Sequence, residues 1–190
     1  KCISEQYAEK QILISTPSSF VANKLGLGKV MLLDNLRITK FSELSEDTYN
    51  FFKKVAGYDT LRMILCKKAI LCEGDSDELV IQKAYMQLND GRLPIEDGIE
   101  VISVGVSFLR FLEIADCIQT KIAVVTDNDG DLAAINKKYE NYIGANQKDY
   151  IKICVDDVVD TGTLKIGKSD YNYNTLEPKL LKANGLDKLN

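Results

Sequence analysis

From Ala69 onward the chain alternates short apolar runs with helix-length segments, and no other feature limits its possible folds as strongly. The runs AILCE (Ala69 to Glu73), IEVISV (Ile99 to Val104), KIAVVTD (Lys121 to Asp127) and YIKICVDD (Tyr150 to Asp157) each suit one buried strand. Between them lie SDELVIQKAYMQL, SFLRFLEIADCI and GDLAAINKKYENYI, where apolar residues recur at helical spacing. Apolar strands joined by helices predict an α/β fold, a parallel doubly wound sheet with helices on both faces.

The part before this unit is organised differently and reads as a small partial α/β segment. QILIST (Gln11 to Thr16) has a strand pattern, SSFVANKL a helical one, and KVMLLDNLRITKF holds two apolar runs about Asp34 and Asn35 that suit a hairpin. SELSEDTYNFFKKVAGYDTLRMILCKK then spaces its apolar residues as two helices, with Ser45 and Thr48 as caps and Gly57 as a stop. GLGK (Gly26 to Lys29) lacks the earlier glycine and the hydroxyl residue of a phosphate loop, since Val30 follows the lysine, so it reads as a turn. After Asp157 the tail is polar and irregular, with a short helix after Pro178.

The chain contains no histidine, which excludes Ser/His/Asp and Cys/His machinery and histidine metal sites. Catalysis here must rest on carboxylates, lysines and hydroxyls. The five cysteines sit mostly inside apolar runs, without CxxC pairs, and read as buried thiols of a reducing compartment. A net charge of -4 speaks against gripping a phosphate backbone by positive charge alone, although a carboxylate metal site is itself acidic until its cations bind. No apolar stretch of membrane-spanning length occurs and KCISEQYAEKQ lacks a signal-peptide pattern, so the expectation is a cytoplasmic protein with no membrane partner.

In open parallel sheets, ligands bind beyond the carboxyl ends of the strands, where strand order reverses. Glu73 ends the first main run and leads into GDSDE; Asp127 ends the third and leads into Asp129 and Asp131. If those two strands are neighbours, Glu73, Asp77, Asp127 and Asp129 converge in one small volume. Their mutual repulsion would cost several kcal/mol at low dielectric, so the cluster calls for cations. Hard oxygen donors select Mg2+ or Mn2+, and two such ions about 4 Å apart can hold a scissile phosphate and activate a water.

Each acidic run also has a plainer explanation. Asp75 and Ser76 suit a helix cap, Asp77 and Glu78 suit the positive end of a helix dipole, and DNDGD suits a solvated turn. Their joint placement at two strand ends is what favours a metal site. A calcium loop starting at Asp127 fails, because Leu132 and Lys138 stand where it needs glycine and glutamate. A haloacid-dehalogenase-like phosphotransferase would use Asp127 as nucleophile, Asp129 as general acid and Asp156 and Asp157 as ligands. That chemistry places its aspartate on the leading strand and leaves Glu73 without a role.

The segments ILCEGDSDELVIQKAYM, VISVGVSFLRFLEIAD, VVTDNDGD and NTLEPKLL, in this order between Leu65 and Leu181, resemble the Toprim domain of OLD (overcoming lysogenization defect) family nucleases. That group includes the nuclease subunit of Gabija-type antiphage systems. QILISTPSSFVANKLG resembles the closing strand and helix of the ABC-type ATPase domain that precedes Toprim in this family. The resemblance implies an ATPase remnant over residues 1–42, a helical linker over 43–66 and a C-terminally truncated Toprim catalytic domain over 67–190. It implies an endonuclease that hydrolyses DNA phosphodiesters with Mg2+ or Mn2+ at a two-metal site, ATP acting only through the ATPase part. The implied partners are DNA and the rest of the ATPase–nuclease polypeptide, with a homodimer or a partner protein also allowed for.

Matched by position, Glu73 and Asp77 are implied as metal ligands or general base, Asp127 and Asp129 as the DxD pair, and Glu177 as the acid of the family's LEP motif at a second ion. Gly105 and Ser107 fall in a small-residue turn near the metals, Ser107 serving equally well as a helix cap, and Asp131 falls in the surrounding layer. Pro17 stands where family ATPases carry histidine. The resemblance further implies that the phosphate-binding and Walker B segments precede Lys1 and that a transition-state lysine follows Asn190. Lys179 and Lys182 are not given that job, so this stretch is expected to bind metal better than it cuts. Two other functions stay open at this point: a catalytically silent Toprim fold used for dimerisation or partner binding, and the phosphotransferase. A primase or topoisomerase also fits a Toprim core, but none of the tyrosines is singled out as a nucleophile.

Overall fold

Four parallel strands organise the chain in a computed structural model that describes residues 11–16, 29–34, 37–41, 44–54 and 58–185. They are β3 (Lys68–Cys72), β4 (Ile99–Ser103), β5 (Lys121–Val125) and β6 (Ile151–Cys154), in the spatial order β4-β3-β5-β6. The runs read as strands form strands because each is apolar on both faces and flanked by helices. Helix α3 (Asp75–Leu88) connects β3 to β4, α4 (Phe108–Ile118) connects β4 to β5, and α5 (Leu132–Lys138) follows β5. The chain therefore steps one way from β3 to β4, then returns past β3 to β5 and β6. With right-handed crossovers, that reversal puts α3 on one face of the sheet and α4 and α5 on the other.

The core lies under α4. Its residues Phe108, Phe111, Leu112 and Ala115 recur at helical spacing and are buried against Leu71, Ile102, Val124 and Ile151 of the sheet. Each fully buried large side chain contributes about 1.5–3 kcal/mol by leaving water. The two upstream helices, α1 (Glu46–Lys54) and α2 (Tyr58–Leu65), join the same core through Phe52, Met63 and Ile64, with Phe52 edge-on to Phe111 at 5.1 Å between ring centres. Arg62 anchors α2 to β4 by bonding the Glu100 carboxylate and the Val101 carbonyl. The opposite face is thinly covered: α3 has no buried residue, and Leu79 and Leu88 are exposed.

Outside the sheet, β1 (Met31–Asp34) and β2 (Arg37–Lys40) pair antiparallel as the hairpin reading requires. The strand expected over Gln11–Thr16 does not form: these residues have no regular secondary structure and are mostly exposed. No strand among the described residues lies beside them to complete a ladder. SSFVANKL and the glycines of GLGK lie outside the described residues. In the tail expected to be irregular, β7 (Thr163–Ile166) and β8 (Ser169–Asn172) form a second hairpin. Its two-residue turn starts at Gly167, whose φ of 62° a residue with a side chain adopts only with strain. The last helix, α6 (Leu176–Asn184), begins two residues before Pro178, which sits in the first turn where no backbone N–H is needed. Cys66, Cys72, Cys117 and Cys154 carry free thiols. Among the described residues no helix is long and apolar enough to cross a membrane.

Candidate functional site

Strands β3 and β5 are hydrogen-bonded neighbours, with Leu71 level with Val124, so Glu73 and Asp127 leave the sheet side by side. This is where strand order reverses, the place at which open α/β sheets have their ligand-binding crevice. The condition that the sequence left open is thus met.

The main chain of Glu73 is held firmly. Its carbonyl accepts the Gly105 N–H at 3.0 Å and the Ser103 hydroxyl at 3.1 Å. Gly105 has φ 56°, which explains the glycine in the small-residue turn. Ser103, which sequence reasoning passed over, is a second clamp on the same carbonyl. Ser107 occupies the cap position of α4 without a side-chain hydrogen bond.

Asp77 lies in the first turn of α3, and its carboxylate accepts the Gly74 N–H at 2.9 Å. The cap expected at Asp75 or Ser76 falls instead on Gly74, with Asp75 already in the helix, and the Asp77 carboxylate closes the first turn without being withdrawn from the site. The same carboxylate faces Asp127 closely enough to raise its pKa. Burial, Asp77, Glu73 and Asp129 together push the Asp127 carboxyl up to about 6, against the opposing pull of the Leu176 N–H. Glu73 is also raised, first by burial and then by Asp129, with Asp77 adding and Lys138 opposing. Asp77 and Asp129 therefore act electrostatically on both Glu73 and Asp127 at the ends of β3 and β5.

The turn after β5 is fixed by its own middle residue. Asn128 is buried and accepts the Gly130 N–H at 2.9 Å on its Oδ1, which supports Asp129 at a left-handed φ of 49°. Aspartate tolerates that conformation better than most residues. Asp131 caps α5 by accepting the Ala134 N–H and is exposed. Glu177 is exposed in the first turn of α6, directly after Leu176, whose N–H donates to Asp127 Oδ2. The structure therefore brings the start of α6 to the cluster, one residue away from Glu177.

Two neighbours were not foreseen. Lys138 acts on Glu73 as the nearby cation, and its ammonium stands 5.2 Å from both the Phe108 and Tyr139 ring centres. Tyr139 is fully buried, with its phenol pushed up to about 12 by burial and, to a lesser degree, by Glu73. The Thr126 hydroxyl lies near the phenol without completing a hydrogen bond. Nothing in the spacing of KKYE marks either residue, because only the packing of α5 turns them toward Glu73.

The donor set consists of carboxylate oxygens, which suits a hard divalent cation. Among the described residues no three Cys, Asp or Glu side chains already stand where they could hold an ion. Without a cation, repulsion works against such an approach, and it adds to the burial that raises Asp127 and Glu73.

Residues 64–129 match the family model for the overcoming lysogenization defect protein-like TOPRIM domain. The matched span runs from α2 to Asp129 and holds all four carboxylates of the cluster, while Glu177 lies beyond it. No curated protein matches the chain. The family match and the four-stranded parallel sheet bear out the Toprim reading over this span.

Proposed function

We propose that the OLD-like Toprim domain of this chain is the catalytic part of an endonuclease that hydrolyses DNA phosphodiester bonds with Mg2+ or Mn2+. One observation carries this reading: Glu73 and Asp77 after β3 lie close to Asp127 and Asp129 after β5, on neighbouring strands, and burial together with the surrounding acids pushes the Glu73 and Asp127 carboxyls up. Clustered acids with perturbed pKa values in a crevice at a topological switch point mark a functional site.

Glu73, Asp77, Asp127 and Asp129 would hold the ions, with Glu177 as a further oxygen donor. The bound ions would supply positive charge at the scissile phosphate and acidify a water. Glu73, with its raised carboxyl beside Lys138, is the residue placed to take a proton from that water. With no histidine in the chain, this proton transfer falls to a carboxylate. Lys138 offsets negative charge on the side of the crevice where Glu73 stands.

The net charge of -4 assigns most of the grip on DNA to other parts of the polypeptide. Control by ATP belongs there as well, and residues 1–42 are read as the end of the ATPase unit.

The test is nicking of supercoiled plasmid by the complete protein and its Asp127→Ala variant in Mg2+ or Mn2+. The expected result is that the wild type nicks and the variant falls to background. Equal nicking by both would refute the proposal. A wild type that neither nicks DNA nor binds Mn2+ would favour a silent Toprim fold that serves dimerisation or a partner protein.

A further inference from the structure

We propose that Asn128 and Asn174 are positioning residues, a buried pair of carboxamides that locks the Asp127–Asp129 turn to the start of α6 and so sets where Glu177 stands. The inference rests on the metal-site reading above.

Asn128 is 1% exposed, although it stands between two acids at a crevice. Its Nδ2 donates to the Asp156 carbonyl at 2.8 Å and the Val158 carbonyl at 3.0 Å, while its Oδ1 takes the Gly130 N–H. Asn174 is 3% exposed and holds the backbone of Asp160 at both of its polar groups: Oδ1 accepts the Asp160 N–H at 2.7 Å, and Nδ2 donates to the Asp160 carbonyl at 2.8 Å. Gly130, whose N–H bonds Asn128, also packs beside Asn174: a Cβ there would lie 3.2 Å from the Asn174 Nδ2. Hydrogen bonds thus tie both the Asp127–Asp129 turn and Asn174 to residues 156–160, and packing at Gly130 sets Asn174 against the turn. Two residues past Asn174, the Leu176 N–H reaches Asp127.

The side-chain chemistry is specific. Each position needs a donor and an acceptor on a short stem: aspartate would set oxygen against carbonyl oxygen, and an apolar residue would leave buried peptide groups unpaired. Two ion pairs, Lys179 with Asp156 and Lys182 with Asp160, fasten α6 to the same loop from outside. Pairs this exposed hold geometry weakly, so placement falls to the buried amides. Groups that orient ligands from behind typically change metal affinity by 10–100-fold when removed.

The test is a double-mutant cycle on the complete protein, read as Mn2+ affinity from the electron paramagnetic resonance signal of free Mn2+. Circular dichroism checks the fold of each variant. Asn174→Ala is expected to weaken Mn2+ binding about tenfold while keeping the native spectrum. Glu177→Gln should weaken it similarly, and the double variant should be no weaker than the weaker single, because both changes remove one interaction. Additive losses would overturn the proposal, as would an Asn174→Ala protein that melts earlier but binds Mn2+ unchanged. If Asn174→Ala does not fold, the exposed Asn172→Ala removes the carboxamide that holds the Asn174 N–H. It should give a smaller loss in the same direction, and unchanged affinity overturns the proposal. Wild type and Asp127→Ala binding Mn2+ alike would sink the metal-site reading and this inference with it. Loss of binding in Asp127→Ala alone, with Asn174→Ala unaffected, sinks only this inference.

Discussion

Asp127 accepts a hydrogen bond from the Leu176 N–H at 3.3 Å, across 49 residues of sequence. The bond joins the end of β5 to the first turn of α6. A carboxylate at a helix N-terminus is favoured by the helix dipole, so this contact lowers the Asp127 pKa. Burial and three neighbouring acids outweigh it. The balance leaves one acid of the cluster able to hold a proton close to neutral pH.

That balance makes a prediction about stability. The Asp127 carboxyl is raised from 3.8 to about 6, so without metal the folded state binds a proton more tightly than the unfolded chain. Its stabilising contribution is complete below about pH 4 and is lost as pH rises through about 6. In EDTA, Asp127→Asn should therefore be more stable than wild type above about pH 7, by at most about 3 kcal/mol, and the two should converge below about pH 4. Urea denaturation across this range measures the difference, and a constant offset would contradict the assigned shift. Saturating Mn2+ should stabilise the wild type and not the variant.

A second prediction concerns how the upstream helices are attached. The Glu113 carboxylate on α4 accepts the Ser45 N–H, the Ser45 hydroxyl and the Thr48 hydroxyl, and so caps α1 from another element. Burial acts to raise the Glu113 pKa, but these bonds prevail and lower it. Glu113→Ala leaves the buried Thr48 hydroxyl without its acceptor and should cost about 2 kcal/mol in urea denaturation. A loss below about 0.5 kcal/mol would show that the capping bonds contribute little. Because the wild-type pKa is lowered, the stability lost in the variant should shrink as pH falls through the carboxylate range.

The parts legible in sequence are those where one residue type does one job. Glu73 and Asp127 each end an apolar run, so a strand-end acid could be read from the pattern, and a helix start beside it could be read from GDSDE. The adjacency of β3 and β5 was not written locally, because it depends on the chain doubling back past β3. The Thr163–Asn172 hairpin went unread because both strands are largely exposed and lack an apolar face, although Gly167 was a usable signal. Gln11–Thr16 shows the opposite error: a short apolar run suggested a strand, but a strand also needs a partner. Asn128 looked like a turn residue and Lys138 like a solvated cation. Their bearing on the site comes from burial and from the packing of α5, which local spacing does not encode.

The most direct test of the central claim is the anomalous difference map of a crystal of this protein soaked in saturating Mn2+. The account predicts a peak in the crevice between β3 and β5, bonded by oxygens from Glu73 or Asp77 on one side and Asp127 or Asp129 on the other. A map with no peak there, or with manganese bound only elsewhere, would contradict it.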